Sequence, residues 1–167
     1  MKILVTGSDG QLGSELKNKS YNFNFEWIFT DINEFDLTNL PKIHNKLNSF
    51  MPKIIINCAA FTNVDQAELN SSRADIINNL AVDLISKWTL KNKCKLIHIS
   101  TDYVFDGSSN NKLSENSITN PINVYGKTKL DGEKKCFKND PNSIIIRTSW
   151  IFSVYGDDFV KSILNLL

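Results

Sequence analysis

Neither sign of charge prevails in this sequence. Lysine plus arginine number 19 and aspartate plus glutamate 18, so the broad electrostatic footprint that nucleic acid or an anionic membrane surface demands is missing. An anionic ligand must therefore be held by local groups. Cysteine is scarce too: the three residues, Cys58, Cys94 and Cys136, form no CxxC pair and fall in stretches that read as strand or helix. That argues against a disulfide-stapled framework and fits a reducing compartment. No apolar run reaches membrane-spanning length, and Met1-Lys2 leads straight into a strand without a charged leader or cleavage site, so the expected location is the cytoplasm. His44 falls on a polar helix and His98 inside a strand, neither with a partner at ligand spacing. No metal site is expected, and His98 reads as a core histidine.

Linkers, internal repeats and low-complexity tails are also absent. What remains is 167 residues, 41% of them hydrophobic, enough for one buried core and one domain spanning 1–167. Short apolar runs at 2–6, 26–30, 53–58, 95–100 and 143–148 have strand length. Between them, 11–18, 40–50, 72–92 and 124–137 carry helical spacing. The alternation predicts an α/β fold, a Rossmann-type doubly wound parallel sheet with helices on both faces and ligands at the carboxyl ends of the strands. Residues 107–120, rich in serine and asparagine, read as one long surface loop, and 158–167 as a further helix.

After the first strand comes Thr6-Gly7-Ser8-Asp9-Gly10-Gln11-Leu12-Gly13. Here Gly7 allows a tight turn, Gly10 lets a pyrophosphate approach the backbone, and Gly13 lets the helix pack on the strand, while free N–H groups at the helix start face the anion. The spacing departs from GxGxxG, since two residues separate the first pair of glycines. Asp31, roughly 20 residues on, closes the second strand, where its carboxylate either accepts hydrogen bonds from an adenosine ribose or is a solvated turn residue. An Asp31 bonded to the ribose would disfavour a 2′-phosphate and a solvated one would not, so the choice between NADH and NADPH stays open.

Tyr125 and Lys129 are four residues apart in Val124-Tyr125-Gly126-Lys127-Thr128-Lys129 and so share a helix face. A ketone that accepts hydride needs a proton at its oxygen, and a phenol delivers one readily only when a cation stabilises the phenolate. Lys129 offers that charge and a hold on the nicotinamide ribose. Such a pair by itself usually marks an amphipathic surface with a snorkelling lysine. Here the fourth strand ends in Ser100-Thr101, whose Thr101 hydroxyl can meet the same substrate oxygen. Asp65 and Glu68 share a face and read as a solvated helix start.

Several segments resemble dTDP-4-dehydrorhamnose reductases of the extended short-chain dehydrogenase class. They are Val5 to Gly13, Asn57-Cys58-Ala59-Ala60-Phe61-Thr62-Asn63-Val64-Asp65, Ser100-Thr101-Asp102-Tyr103-Val104-Phe105-Asp106-Gly107, Asn120 to Lys129, and Arg147-Thr148-Ser149-Trp150. The resemblance implies that Gly10, Gln11 and Leu12 contact the pyrophosphate, that Asp36 and Leu37 flank the adenine, and that Ala59, Ala60 and Phe61 lie along the cofactor. It makes Tyr125 the proton donor and places Tyr103, Val104 and Trp150 against the sugar nucleotide. Trp150 reads equally as an apolar platform for a deoxysugar or as a core aromatic. Cys58 and Phe61 stand where the family more usually has alanine and tyrosine or histidine. Family members carry a further C-terminal sugar-nucleotide-binding region, so the chain is expected to be a fragment or to hold an incomplete substrate site.

The activity implied is reduction of the C4 ketone of dTDP-4-dehydro-L-rhamnose with NADPH or NADH, the partner being a dTDP-sugar substrate and a homodimer being one assembly left open. A sugar-nucleotide epimerase or dehydratase would instead keep its cofactor bound through the cycle. A third reading is a non-catalytic module, like the regulatory subunits of methionine adenosyltransferase that resemble this family; the intact Thr101, Tyr125 and Lys129 count against it.

Overall fold

The structure, a computed structural model, describes residues 1–166. Five strands, β1 (Lys2–Thr6), β2 (Glu26–Thr30), β3 (Ile54–Asn57), β4 (Lys95–Thr101) and β5 (Ile144–Thr148), form one wholly parallel sheet in the order β2-β1-β3-β4-β5. The near-continuous apolar runs of β1 and β3 suit strands with neighbours on both edges and cover on both faces. Strand order reverses between β1 and β3, which opens a crevice at the carboxyl ends, as in doubly wound folds.

The helices joining the strands are α1 (Gln11–Ser20), α2 (Leu40–Phe50), α5 (Ala81–Lys91) and α6 (Val124–Asn139), with α7 (Phe159–Leu164) after β5. Leu4, Ile55 and Leu96, in register across three strands, point to one face. There they pack with Ile43 and Leu47 of α2, Val82, Ile85 and Trp88 of α5 and Cys136 of α6. Each fully buried Leu or Ile in this cluster contributes about 1.5–3 kcal/mol. Because the chain reverses across the sheet after β2, right-handed crossovers send α1 to the opposite face. Ile144 and Ile146 on that face each stay 43% exposed.

The segment expected as one helix over 72–92 is divided. Asn63 caps a short α3 (Val64–Leu69) by accepting from the Gln66 N–H at 2.9 Å, and α4 (Ser71–Asp75) runs into a π-helical turn at Ile76–Leu80 before α5. A 3.6-residue pattern does not reveal such a widened turn, which is common near functional sites. The expected loop 107–120 lengthens at both ends, running from a 3-10 turn (Asp102–Val104) to Asn123, whose side chain caps α6 through the Gly126 N–H at 2.7 Å. The expected last helix is shorter, Asp158 being its cap; the end of that expectation, Leu167, lies outside the described residues. No described helix is long and apolar enough to cross a membrane.

Candidate active site

The glycine loop leaves β1 beneath a crevice of about 920 Å³ lined by Gly7, Gly10, Gln11 and Leu12 on one side and Ala59 and Ala60 on the other. Gly7 has φ of +65°, and a Cβ there would stand 2.7 Å from the Ala59 backbone. A Cβ on Gly13 would stand 2.2 Å from the Gly7 carbonyl, so α1 can start this close to the strand only without side chains. With Ser14 N–H already donating to Gly10, the preceding amides of α1 face the crevice, as an anionic pyrophosphate requires. The cradle thus fits a dinucleotide.

Asp31, Asp36 and Leu37 line the same crevice. Asp31 is more than a solvated turn residue: its Oδ2 accepts from the Asp9 N–H at 2.9 Å and its Oδ1 from Ile32 N–H at 2.7 Å, tying the end of β2 to the glycine loop. Asp36 accepts from Thr38 N–H and Oγ1 at 2.8 and 2.7 Å, which fixes the turn after it. Phe61 is not among the lining residues. Its backbone is clamped on both sides by Asn78, which accepts from Phe61 N–H at 2.9 Å and donates to Phe61 O at 3.1 Å.

Tyr125 opens α6 near Thr101 at the end of β4, whose Oγ1 donates to Asp102 Oδ1 at 3.2 Å and accepts from the Tyr103 N–H at 3.2 Å; burial pushes the Tyr125 phenol up, the Thr101 hydroxyl pulls it back, and the Asp102 charge pushes upward again. Its ring meets Tyr103 edge-on at 5.5 Å. Lys129, one turn on, is 2% exposed, and its Nζ donates to the Ile99 carbonyl at 2.7 Å. Burial pulls this ammonium down to about 8, against the opposing pull of the Glu133 carboxylate.

A second cavity, about 430 Å³, is lined by Asp102, Tyr103, Phe105, Leu113, Ile122 and Trp150 among others, Tyr125 reaching it through the Tyr103 ring and Lys129 not lining it. Trp150 is not a core aromatic. It is 72% exposed, meets Phe159 edge-on at 4.8 Å, and has φ of 52°, a left-handed backbone that costs a bulky residue about 1–3 kcal/mol. Val104 differs from the expectation for it: it is fully buried, its carbonyl accepts from Asn120 N–H at 2.9 Å, and it is not among the residues lining the cavity.

Other residues at the site carry no motif. Asn78, in the π-helical turn, also donates to Thr128 Oγ1 at 3.1 Å, so one buried amide joins the Ala59–Phe61 wall to α6. A Cβ on Gly126 would stand 2.2 Å from the Tyr103 carbonyl, so this glycine lets the first turn of α6 sit on the 102–104 turn and places Tyr125 against Thr101. Glu68 is not merely solvated, since its Oε1 accepts from the Val124 N–H at 2.8 Å at the start of α6. Gln11 donates to Asp158 at 3.1 Å, bringing Gly156 and Asp157 to the crevice rim. His98 is a buried core residue with Nδ1 3.1 Å from Asn57 Nδ2, and Asn57 in turn accepts from Thr6 at 2.6 Å.

A family model described as the RmlD substrate binding domain matches residues 1–167. The dTDP-4-dehydrorhamnose reductase of Aggregatibacter actinomycetemcomitans is 43% identical over 166 residues, which cover 99% of this chain and 56% of that protein. The chain therefore spans little more than half of that relative's length. The solved structure of a dTDP-4-dehydrorhamnose reductase from Clostridium acetobutylicum superposes with a TM-score of 0.95 at 38% identity, over 99% of this chain and 59% of that one. One from Bacillus anthracis, in complex with NADP, gives 0.93 at 34% identity, again over 99% and 59%.

Proposed function

The chain belongs to the RmlD substrate binding domain family, and from that premise we propose that it carries the cofactor-binding and proton-delivering machinery of a reductase. The reaction is conversion of the C4 ketone of dTDP-4-dehydro-L-rhamnose to the alcohol of dTDP-L-rhamnose, with NADPH or NADH. The observation that carries this reading is the placement of Tyr125 at the start of α6, where Gly126 lets the helix sit on the 102–104 turn next to Thr101 and the Tyr125 ring meets Tyr103 of the second cavity at 5.5 Å.

A nicotinamide dinucleotide bound in the crevice supplies the hydride. Residues 1–167 act as one NAD(P)-binding domain: the amides of Gln11 and Leu12, beside the Gly10 backbone whose own N–H is turned to the Gly7 carbonyl, hold the pyrophosphate, Asp31, Asp36 and Leu37 bound the adenosine end, and Ala59 and Ala60, with Phe61 fixed behind them, form the wall toward the reacting end. Thr101 orients the ketone oxygen and Tyr125 gives it a proton. Lys129 offsets the negative charge then left on the phenol oxygen. Tyr103 and the exposed face of Trp150 receive the dTDP-sugar, Trp150 as an apolar platform.

The test is Tyr125→Phe in a protein of the relatives' full length. Turnover is lost while cofactor affinity stays nearly unchanged, and retained turnover overturns the assignment. Oxidised cofactor released in proportion to product marks a reductase; product without its release marks an epimerase or dehydratase.

A further inference from the structure

Glu133 is 2% exposed, and a carboxylate that deep persists as an ion only with strong partners. It lies one turn beyond Lys129 on α6, and Lys129 is equally buried. Two cations share this one carboxylate. Arg147 of β5 grips it through Nε at 3.0 Å and Nη2 at 2.7 Å, a bidentate pair, while Lys129 donates to the Ile99 carbonyl and feels the carboxylate through space. Ser100, next to Ile99, donates its Oγ to Glu133 at 2.5 Å and so ties both arrangements to β4.

The other titratable groups facing Lys129 carry no charge at neutral pH. Burial pushes Cys136 of α6, and Cys58 just past β3, up to about 12. Burial, aided by Lys129 itself, holds His98 of β4 well below the usual imidazole range. Among the described residues this leaves Glu133 as the negative charge acting on Lys129. Arg147 extends the connection outward: its guanidinium lies 5.2 Å over the Phe105 ring, and Nη1 donates to the Glu115 carbonyl at 3.1 Å. Both residues belong to the loop between β4 and α6, and Phe105 lines the second cavity.

We propose that Glu133 is a positioning residue of the reduction site: it is the buried counter-charge that keeps Lys129 an ammonium one turn from Tyr125, and through Arg147 it fixes the same point to the loop that walls the substrate cavity. The proposal rests on the role given to Lys129 above. It makes the charge behind the phenol and the shape of the cavity depend on a single carboxylate.

Lysine side-chain NMR on the full chain, with the Lys129 signal identified by its loss in Lys129→Met, tests it. In Glu133→Gln, which keeps the shape and removes the charge, the Lys129 midpoint falls from about 8 by about one pH unit or more. In Glu133→Asp it stays near its starting value, because the charge remains. Arg147→Gln moves it the other way, upward, since the competing cation is gone; this arm reads the same coupling if Glu133→Gln does not fold. A Lys129 midpoint unmoved by Glu133→Gln, or one lowered by Arg147→Gln, overturns the proposal and leaves the role of Tyr125 standing. If the midpoints shift as stated while Tyr125→Phe still turns over, the reductase reading falls and the electrostatic role of Glu133 survives.

Discussion

The crevice and the second cavity open at the same strand ends but are made of different material. The crevice is built on the backbone of the glycine loop and the start of α1, and residues after β2 and β3, among them the nearly buried Phe35 and Leu37, complete its lining. The second cavity is walled by loop side chains that stand in solvent, Ile122 at 75%, Trp150 at 72% and Tyr103 at 45% exposure. A site built from backbone is fixed by the fold and changes with any added atom. A site built from exposed side chains changes specificity without disturbing the sheet. Tyr125 and Thr101 line neither space and form the seam between α6 and the end of β4, where the Tyr125 ring meets Tyr103 of the second cavity, so substitutions there separate from those at either end.

The largest effect is expected at the seam. Tyr125→Phe should reduce turnover by about 10³-fold or more, within the range for loss of a general acid, with cofactor binding, followed by nicotinamide fluorescence, left intact. Next is Gly126→Ala: its methyl group would meet the Tyr103 carbonyl at 2.2 Å, displacing α6 from the 102–104 turn. A shift of about 1 Å in the phenol is expected to cost about 10²-fold in kcat, again with little change in cofactor affinity. A similar loss of cofactor affinity instead would place Gly126 in the crevice and erase the distinction drawn here.

Smaller effects should stay at one end. Trp150→Ala is expected to raise KM for the sugar nucleotide about tenfold, the loss of about 1.4 kcal/mol of apolar contact. Cofactor affinity should not move, and steady-state kinetics with each substrate varied in turn reads both. A separate effect, read in stability and not in substrate binding, is a pH signature of the buried lysine. With Lys129 pulled to about 8 in the fold and titrating at about 10.4 when unfolded, the unfolded chain holds the extra proton between those values. Stability therefore rises with pH across that window, while turnover, which needs the ammonium, falls across it. Urea unfolding of the chain and of Lys129→Met at several pH values should show that slope in the former and not in the latter.

Much of the crevice was legible because its signals are local. The strand-length apolar runs, the glycines between β1 and α1, and the four-residue step from Tyr125 to Lys129 each sit within a few positions. Asp31 was found by spacing alone, although its hold on the Asp9 amide needed the fold. What escaped depends on distant partners. Glu133 meets Ser100 across 33 positions and Glu68 meets Val124 across 56, and each alone is one more acidic residue on a helix. The π-helical turn that aims Asn78 at Phe61 and Thr128 has no periodicity of its own to betray it. Trp150 could not be assigned to core or surface because its left-handed backbone, at a non-glycine residue, gives no sequence signal.

The central claim is that one dinucleotide spans from the glycine loop to the phenol. Titrating the chain with NADPH while following the Gly10, Gln11 and Leu12 amides together with the Tyr125 ring by NMR tests it directly. Both sets of signals are predicted to shift along one binding curve with a single midpoint. Loop amides that shift while the Tyr125 ring stays where it was would contradict the account.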